Sequence, residues 1–162
     1  MDAAESFIRD FIAKEYAAVR AKYGEPNAVY IPLLQAVNAL FARDVTSKSG
    51  ISRSSSPNLD DLRPRQQSIV PRKILARREY AHPSLGTHFE FELSGREKGE
   101  EVDASARYYV RNTDGGMRIV SYDVACHDCG GTGKSAGHVC RHCGGIGWVY
   151  ADGVKLACSE RR

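Results

Sequence analysis

The sequence lacks any long apolar run and any of the common short catalytic motifs. No stretch approaches the roughly 18–20 apolar residues that cross a bilayer, and no phosphate loop, GxSxG turn or HExxH motif is present. The first residues, Met1 to Glu5, are acidic, whereas a secretory signal needs a basic start followed by a continuous apolar stretch. We therefore expect a cytoplasmic protein, and the motif search predicts no catalytic residue.

Net charge is also low, at +3 for 162 residues, which is too little to indicate a nucleic-acid-binding protein by itself. The charge is uneven, because residues 47–82 hold eight Lys or Arg against three acids. This segment could face phosphates or an acidic protein partner, or it could be a solvated loop and an exposed strand face. The candidate partner-surface residues are Arg63, Arg65, Arg72, Lys73, Arg77 and Arg78.

What is present is the composition of a folded domain, with 42% hydrophobic and 27% charged residues. Apolar side chains recur at three- and four-residue spacings from Ala3 to Tyr23 and predict a helix, which Gly24 and Pro26 end. A second helix is predicted from about Pro32 to Val45, because proline suits a first helical turn. Both apolar faces are interpreted as core rather than as a ligand pocket.

The pattern changes after the helices. Residues 46–67 are polar and rich in turn formers, which predicts a long mobile loop. Beyond it, apolar residues alternate with polar ones, as in half-buried strands, and Asn112 to Gly116 is a strong hairpin signal. The predicted strands are Arg72–Tyr80, Thr87–Leu93, Val102–Arg111 and Met117–Val124. Helices followed by antiparallel strands predict an α+β domain with the helices packed on one face of the sheet.

This order of elements, with the late hairpin Tyr108 to Tyr122, resembles the NTF2-like superfamily, the cystatin-like α+β cone. The resemblance implies that residues 1–124 form such a domain, with its helices on a curved antiparallel sheet. In that superfamily a WRI sequence often follows the turn; here Met117-Arg118-Ile119 has no tryptophan. The superfamily includes enzymes, transport factors and non-catalytic binding proteins, so the resemblance does not fix a function.

The strongest motif is a repeated CxxCxGxG unit. Its first copy runs from Cys126 to Gly133 and its second from Cys140 to Gly147, with ten residues between the inner cysteines. Four soft thiolate ligands at this spacing predict one tetrahedral structural zinc ion, with no open position for catalysis. The predicted ligands are Cys126, Cys129, Cys140 and Cys143. Four glycines of the motif are expected to take positive φ and to let the chain approach the metal: Gly131, Gly133, Gly145 and Gly147.

These units resemble the cysteine-rich zinc domain of the DnaJ (Hsp40) chaperones, where the motif occurs four times around two zinc centres. Two copies imply one centre, in a half-sized module over residues 125–162. No His-Pro-Asp tripeptide is present, since His82-Pro83 is followed by Ser84, so stimulation of an Hsp70 ATPase through a J-domain is not expected. A terminal hairpin is predicted from Trp148 to Cys158, with Asp152-Gly153 at its turn.

Several other residues have more than one possible role. His127, His138 and His142 lie inside the module, but four cysteines already fill a tetrahedron, so a surface or supporting role is expected for them. Trp148 and Tyr150 could stack on a nucleobase, but packing against the domain is favoured. If the cone were an enzyme, its acid and base candidates would be His88, Asp103, Tyr108 and Asp123.

Three classes of function remain open. The first is a non-catalytic protein-binding module with one structural zinc ion; bacterial proteins of this size and superfamily include immunity proteins and accessory factors of secretion systems. The second is a nucleic-acid-binding zinc protein, although the module carries few cations. The third is a small-molecule-binding or enzymatic cone. The expected partner is another protein, and the basic segment 47–82 would suit an acidic one; no membrane contact is expected.

Overall fold

The computed structural model describes residues 1–45, 48–53, 58–98 and 105–153, with the backbone alone at residues 59, 61 and 150–153. It is an α+β protein with N-terminal helices and an antiparallel sheet, as predicted. Within the described residues, no helix combines the length and the apolar character needed to cross a membrane.

The first helix, α1, spans Ala3–Gly24 and confirms the prediction to within one residue. The Asp2 carboxylate caps it by accepting a hydrogen bond from the Glu5 amide at 2.9 Å. Its inner face includes Ile8 and Phe11, both fully buried against the sheet. The apolar residues that predict the helix therefore also form the face that packs against the sheet.

The second helix, α2, spans Asn27–Asn38, so both predicted ends were wrong. Pro26 is its N-cap residue and Pro32 lies inside it, because Tyr30 and Val37 are buried in the core and hold the segment helical around that proline. The helix stops early because the chain then pairs with the sheet. The Ala42 amide donates to the Ile119 carbonyl, and the Ile119 amide donates to the Leu40 carbonyl, both at 2.8 Å.

A third helix, α3, spans Leu59–Gln66 within the segment predicted to be a loop. Polar contacts and one apolar side chain, Leu62, which packs against the core, hold it; without an apolar stripe the sequence pattern gave no signal. The Gln66 side-chain amide donates to the Arg20 carbonyl of α1 at 3.0 Å, and Arg65 pairs with Glu97 at 2.5 Å. The rest of the predicted loop lies partly outside the described residues, at 46–47 and 54–57.

Five strands form one antiparallel sheet in the order β1-β2-β3-β4-β7. Register shifts interrupt the pairing in three places, each a local irregularity of the bulge type. The strands are β1 Ile74–His82, β2 Gly86–Leu93, β3 Ala106–Thr113, β4 Gly116–Ala125 and β7 Trp148–Gly153, with β5 Lys134–Ser135 and β6 His138–Val139 as a separate pair. Residues 102–104 of the predicted third strand lie outside the described residues.

The predicted terminal hairpin was wrong at its turn. Asp152 and Gly153 belong to β7 and pair with Tyr122 and Ser121 of β4. The reason is the edge of β4, whose free backbone groups need a partner, and β7 supplies it. Residues 154–162, including Cys158, lie outside the described residues. The segment predicted as a separate module therefore contributes a strand to the sheet of the preceding domain.

The two faces of the sheet differ in chemistry. The helix-side face is apolar and includes Phe91, Leu93 and Val110. The opposite face buries two carboxylates, each 1% exposed, Glu90 and Asp123. Each carboxylate accepts hydrogen bonds from an arginine and a tyrosine that lie two residues apart on the neighbouring strand. Glu90 accepts from Arg78 at 2.5 Å and from Tyr80 at 3.2 Å. Asp123 accepts from Arg107 at 2.8 Å and from Tyr109 at 2.9 Å. These bonds satisfy charges that burial would otherwise make costly.

Candidate metal centre

The CxxCxGxG units lie in the connection between two neighbouring strands. β4 ends at Ala125, one residue before Cys126, and β7 begins at Trp148, one residue after Gly147. The Ala125–Trp148 pair closes the base of this connection. The sheet thus fixes both ends of the segment that carries the cysteines.

The four cysteines converge on one point. All four Sγ atoms lie within 4.8 Å of one another, with Cys126 to Cys140 at 3.8 Å and Cys129 to Cys143 at 3.7 Å. Four sulfurs at about 2.3 Å from a central ion would be about 3.8 Å apart in a regular tetrahedron. A disulfide needs about 2.05 Å, and all four thiols are free. The arrangement therefore fits a four-coordinate metal ion.

The two units mirror each other in their backbone hydrogen bonds. The Cys126 amide donates to the Gly147 carbonyl, and the Cys140 amide donates to the Gly133 carbonyl, both at 2.9 Å. In each unit the last glycine donates to the second cysteine, with Gly133 N to Cys129 Sγ at 3.3 Å and Gly147 N to Cys143 Sγ at 3.2 Å. Such donors stabilise thiolates and spread the negative charge of a four-thiolate site. The repeated sequence thus forms a repeated ligand-binding turn.

All four glycines of the motif have positive φ, from 78° to 96°. Two of them also mark the closest backbone approach between the units. A Cβ atom at Gly133 would overlap the carbonyl oxygen of Gly145, and one at Gly147 would overlap that of Gly131. Glycine is therefore required at 133 and 147 for space as well as for backbone conformation.

In the metal-free protein the two cysteine thiols of the first unit differ in pKa. Burial raises the pKa of the Cys126 thiol to about 11, against the opposing effect of amide donors from Cys129 and Asp128. Burial also acts to raise the pKa of Cys129, but donors at Gly133 and Gly131 and the neighbouring thiols outweigh it and lower the pKa to about 6. One thiol is thus ready to bind a cation at neutral pH, while the other must first lose a proton.

Trp148 links this centre to the sheet. The Arg107 guanidinium lies 4.1 Å from the centre of its ring, and the ring also lies beside Gly131 of the first unit. The half-buried indole is packed within the protein, in line with the favoured reading of Trp148. For Tyr150 the structure describes only the backbone.

The candidate partner surface is largely neutralised by carboxylates of the same chain. Arg72 does not lie on a surface at all; its side chain is 4% exposed and pairs with buried Glu15 at 2.8 Å. Lys73 is exposed, and within the described part of the chain no ion pair involves it. The remaining pairs are Arg63 with Asp60 at 3.8 Å, Arg65 with Glu97 at 2.5 Å, Arg77 with Asp2 at 2.5 Å and Glu79 at 3.1 Å, and Arg78 with Glu90 at 2.5 Å.

The residues considered as an acid and base are not brought together. Tyr108 is on the helix side, where its ring lies 4.8 Å from that of Phe11 and 5.6 Å from that of Tyr122, and burial raises its pKa. His88 and Asp123 are buried on the opposite face, in strands separated by β3. The fourth candidate, Asp103, lies outside the described residues.

Sequence reasoning missed two exposed features of the module. Val139 is 64% exposed and Ile146 is 73% exposed, and the Val139 side chain lies beside Gly145, next to Ile146. His127, Asp128 and His142 form a second, exposed group of side chains whose ligand atoms lie close enough together to hold a metal ion. Neither feature has a periodic signal. The closure of the two turns brings His142 beside His127 and Asp128, and it brings Val139 beside Gly145.

No family model, curated protein or solved structure matches this chain.

Proposed function

We propose that the four cysteines hold one structural zinc ion, and that the module so formed binds another protein without catalysing a reaction. Support for zinc comes from the tetrahedral spacing of the sulfurs and from the all-thiolate ligand set, which suits zinc better than harder divalent ions. Four protein ligands complete the coordination. A site of this kind stabilises structure and leaves no position for a substrate.

The protein-binding role rests on the exposed apolar pair Val139 and Ile146. Both side chains are more than half exposed; Val139 lies in β6, directly before Cys140, and Ile146 lies in the second CxxCxGxG unit. A protein that docks on these side chains would remove their apolar surface from water, and side chains on a rigid support lose little conformational entropy when they dock. We take this pair as the centre of the binding surface.

The two resemblances remain part of this proposal. The helices-before-sheet order supports an NTF2-like domain, and the repeated motif supports a half-sized DnaJ-type module. An immunity protein or an accessory factor of a secretion system is the kind of bacterial binding protein that such a domain suits. Among the described residues, His88, Tyr108 and Asp123 are not brought together as an acid and base, and five of the six candidate partner-surface cations pair with carboxylates, so these residues give the alternative functions less support.

Capture experiments with matched variants test the proposal. The full chain, with its zinc content measured, is immobilised and exposed to an extract of its own cells, and bound proteins are identified by mass spectrometry. We expect the wild-type chain to capture one stoichiometric partner. The double variant Val139→Ser/Ile146→Ser should capture at least tenfold less of it. Leu75→Ser is the control, because Leu75 is an exposed apolar residue, 56% exposed, on β1 instead of the module.

Cross-linking of the captured complex then locates the contact. Cross-links are expected from Lys134, the exposed lysine nearest in sequence to Val139. Equal capture by wild type and by the Val139/Ile146 variant would refute this binding surface. Recovery of nucleic acid alone would support the second class of function instead. Less than one equivalent of bound zinc would refute the metal assignment.

A further inference from the structure

A second group of ligating side chains lies outside the four-cysteine centre. It consists of His127, Asp128 and His142, whose side chains are 73%, 48% and 43% exposed. His127 Nε2 lies 3.0 Å from one Asp128 carboxylate oxygen, and His142 Nδ1 lies 3.7 Å from the other. The two imidazole rings are 4.4 Å apart. All three ligand atoms fall within 4.8 Å of one another.

The fold of the module explains why these three side chains lie close together. In each CxxC turn the cysteines direct their sulfurs to the shared centre, and the two residues between them are exposed. His127 and Asp128 are the intervening residues of the first turn, and His142 is one of those in the second. Because the two turns are clamped against each other, residues far apart in sequence become neighbours on the outer surface.

The distances suit a shared ion. Nitrogen and carboxylate ligands bind zinc at about 2.0–2.2 Å, so two ligands of one ion are between about 3 and 4.3 Å apart. The two measured distances fall in this range, although they run to different oxygens of the Asp128 carboxylate. The largest separation among the three ligand atoms, at most 4.8 Å, must shorten by rotation of these exposed side chains when an ion binds. Two imidazoles and one carboxylate are a ligand set for borderline divalent ions such as zinc, nickel and copper.

The local charge favours a cation. Four thiolates around a divalent ion carry a net charge of −2, and the Asp128 carboxylate adds a further negative charge next to Cys129. Arg141, between Cys140 and His142, opposes this with one positive charge. A cleft of about 490 Å³, which Asp128 and His142 line together with His138, gives the group access from solvent.

We propose that His127, Asp128 and His142 form a second metal site that binds one divalent first-row transition ion. Three protein ligands leave at least one coordination position open to water or to a side chain of another molecule. If no metal binds, the same three side chains form only exposed histidine–aspartate contacts, which contribute little to the stability of the fold. The two alternatives differ in metal stoichiometry and can be separated directly.

Nickel is the appropriate probe, because it prefers nitrogen and oxygen ligands in open geometries, whereas a tetrahedral four-thiolate site selects zinc. The full chain is first saturated with one equivalent of zinc, and its zinc content is verified. Nickel is then titrated by calorimetry, and zinc is measured again at the end. We expect one equivalent of nickel to bind while the zinc remains in place.

Variants identify the ligands. We expect His127→Ala/His142→Ala to weaken nickel binding tenfold or more, and Asp128→Asn to weaken it as well. His138→Ala is the matched control, an exposed histidine of the same module that lines the cleft but is outside the group; its nickel binding should be unchanged. If the double variant loses zinc, the single variant His142→Gln replaces it.

Several results would overturn the second site. They are the absence of a nickel equivalent in zinc-loaded wild-type protein, undiminished binding in zinc-loaded variants of His142 and Asp128, or loss of binding in His138→Ala. Because zinc is measured separately, failure of the four-cysteine centre appears as missing zinc. Failure of the second site appears as missing nickel in protein that retains its zinc.

Discussion

Apart from the four cysteines, Gly133 and Gly147 are the residues of the module at which we expect substitution to be tolerated least. Each has positive φ, and each lies where a Cβ atom would overlap a carbonyl oxygen of the other unit. A substituted chain must separate the two turns, and separation moves the cysteine pairs out of tetrahedral range. The amide that donates to the Cys129 sulfur moves with Gly133, so the same change also removes support for a thiolate.

We therefore expect Gly133→Ala to weaken metal binding about 10–100-fold, the range found when groups that support metal ligands are lost. Competition with a chromogenic chelator measures this change. Gly130→Ala is the control, because Gly130 also has positive φ, at 64°, but has nothing within 4 Å of an added Cβ atom. Equal losses in the two variants would show that backbone conformation, and not the close approach, is what matters.

Protonation of Cys126 makes metal binding depend on pH. Its thiol has a pKa of about 11 in the metal-free protein, whereas that of Cys129 is about 6. At pH 7.5 the metal must displace the Cys126 proton, so binding releases at least one proton and weakens as pH falls. Calorimetry in buffers of different ionisation enthalpy measures the release. Binding without proton release at pH 7.5 would contradict this assignment.

Glu15 and Arg72 are the residues where a change should most affect the stability of the domain. Both side chains are at least 96% buried and are joined at 2.8 Å. Removal of one partner of a buried pair costs about 3–5 kcal/mol, because the other charge is left uncompensated. We expect Glu15→Gln to lower the free energy of unfolding in urea by this amount.

The control for that variant is Asp10→Asn on the same helix. Asp10 pairs with Lys14 at 2.6 Å, but both side chains are more than 40% exposed, and exposed pairs contribute about 0–1 kcal/mol. If the two variants lower the free energy of unfolding equally, the buried pair has no special role. A double variant, Glu15→Leu/Arg72→Met, should recover part of the loss, because both charges of the closest pair are gone; Arg96, which lies 3.8 Å from Glu15, still loses this carboxylate.

At the scale of elements, β7 is the strand that we expect to depend on the proposed metal. The four-cysteine segment connects it directly to β4, with which it pairs, whereas the hydrophobic core beneath α1 and α2 contains none of the four cysteines. Removal of the metal should therefore release β7 while the helices and β1 to β3 remain protected. The loop it would leave between β4 and β7 is poor in apolar residues and cannot hold the strand by itself.

Hydrogen exchange by mass spectrometry checks this expectation. In Cys143→Ser, or after chelation, amides of residues 148–153 should lose protection, while those of α1 and of β2 and β3 should keep it. Cys158→Ser is the control, since Cys158 lies outside both CxxC units, and it should retain metal and protection. Loss of protection throughout the sheet would show that the metal stabilises the whole domain.

Sequence patterns predicted the elements whose position depends on local periodicity. α1 and β2 follow an apolar repeat, and β4 follows a strong hairpin signal. The patterns did not predict α3, which polar contacts to α1 hold, nor the early end of α2, which pairing of residues 40–42 with Ile119 causes. The cysteine spacing predicted which residues meet at the centre, but the exposed groups around it depend on how the two turns are clamped.

At the scale of the whole molecule, the positive charge of the candidate partner surface is mostly paired within the described residues. The net charge is +3, and in the candidate partner surface only Lys73 lacks an ion pair within the described residues. Arginines already held by carboxylates release few counterions when they approach a phosphate backbone. The dense basic segment is therefore a poor nucleic-acid surface, in spite of its composition.

We accordingly expect any binding to single-stranded DNA to have a shallow salt dependence, with a log–log slope no steeper than about −2, equivalent to about three phosphate contacts. Fluorescence anisotropy with a labelled oligonucleotide measures it. The variant Asp2→Asn/Glu79→Gln removes both carboxylates that hold Arg77 and should steepen the slope by about 0.7, the value for one more contact. A wild-type slope of about −5 or steeper would mean that several unpaired cations act together, and nucleic-acid binding would then replace protein binding as the favoured function.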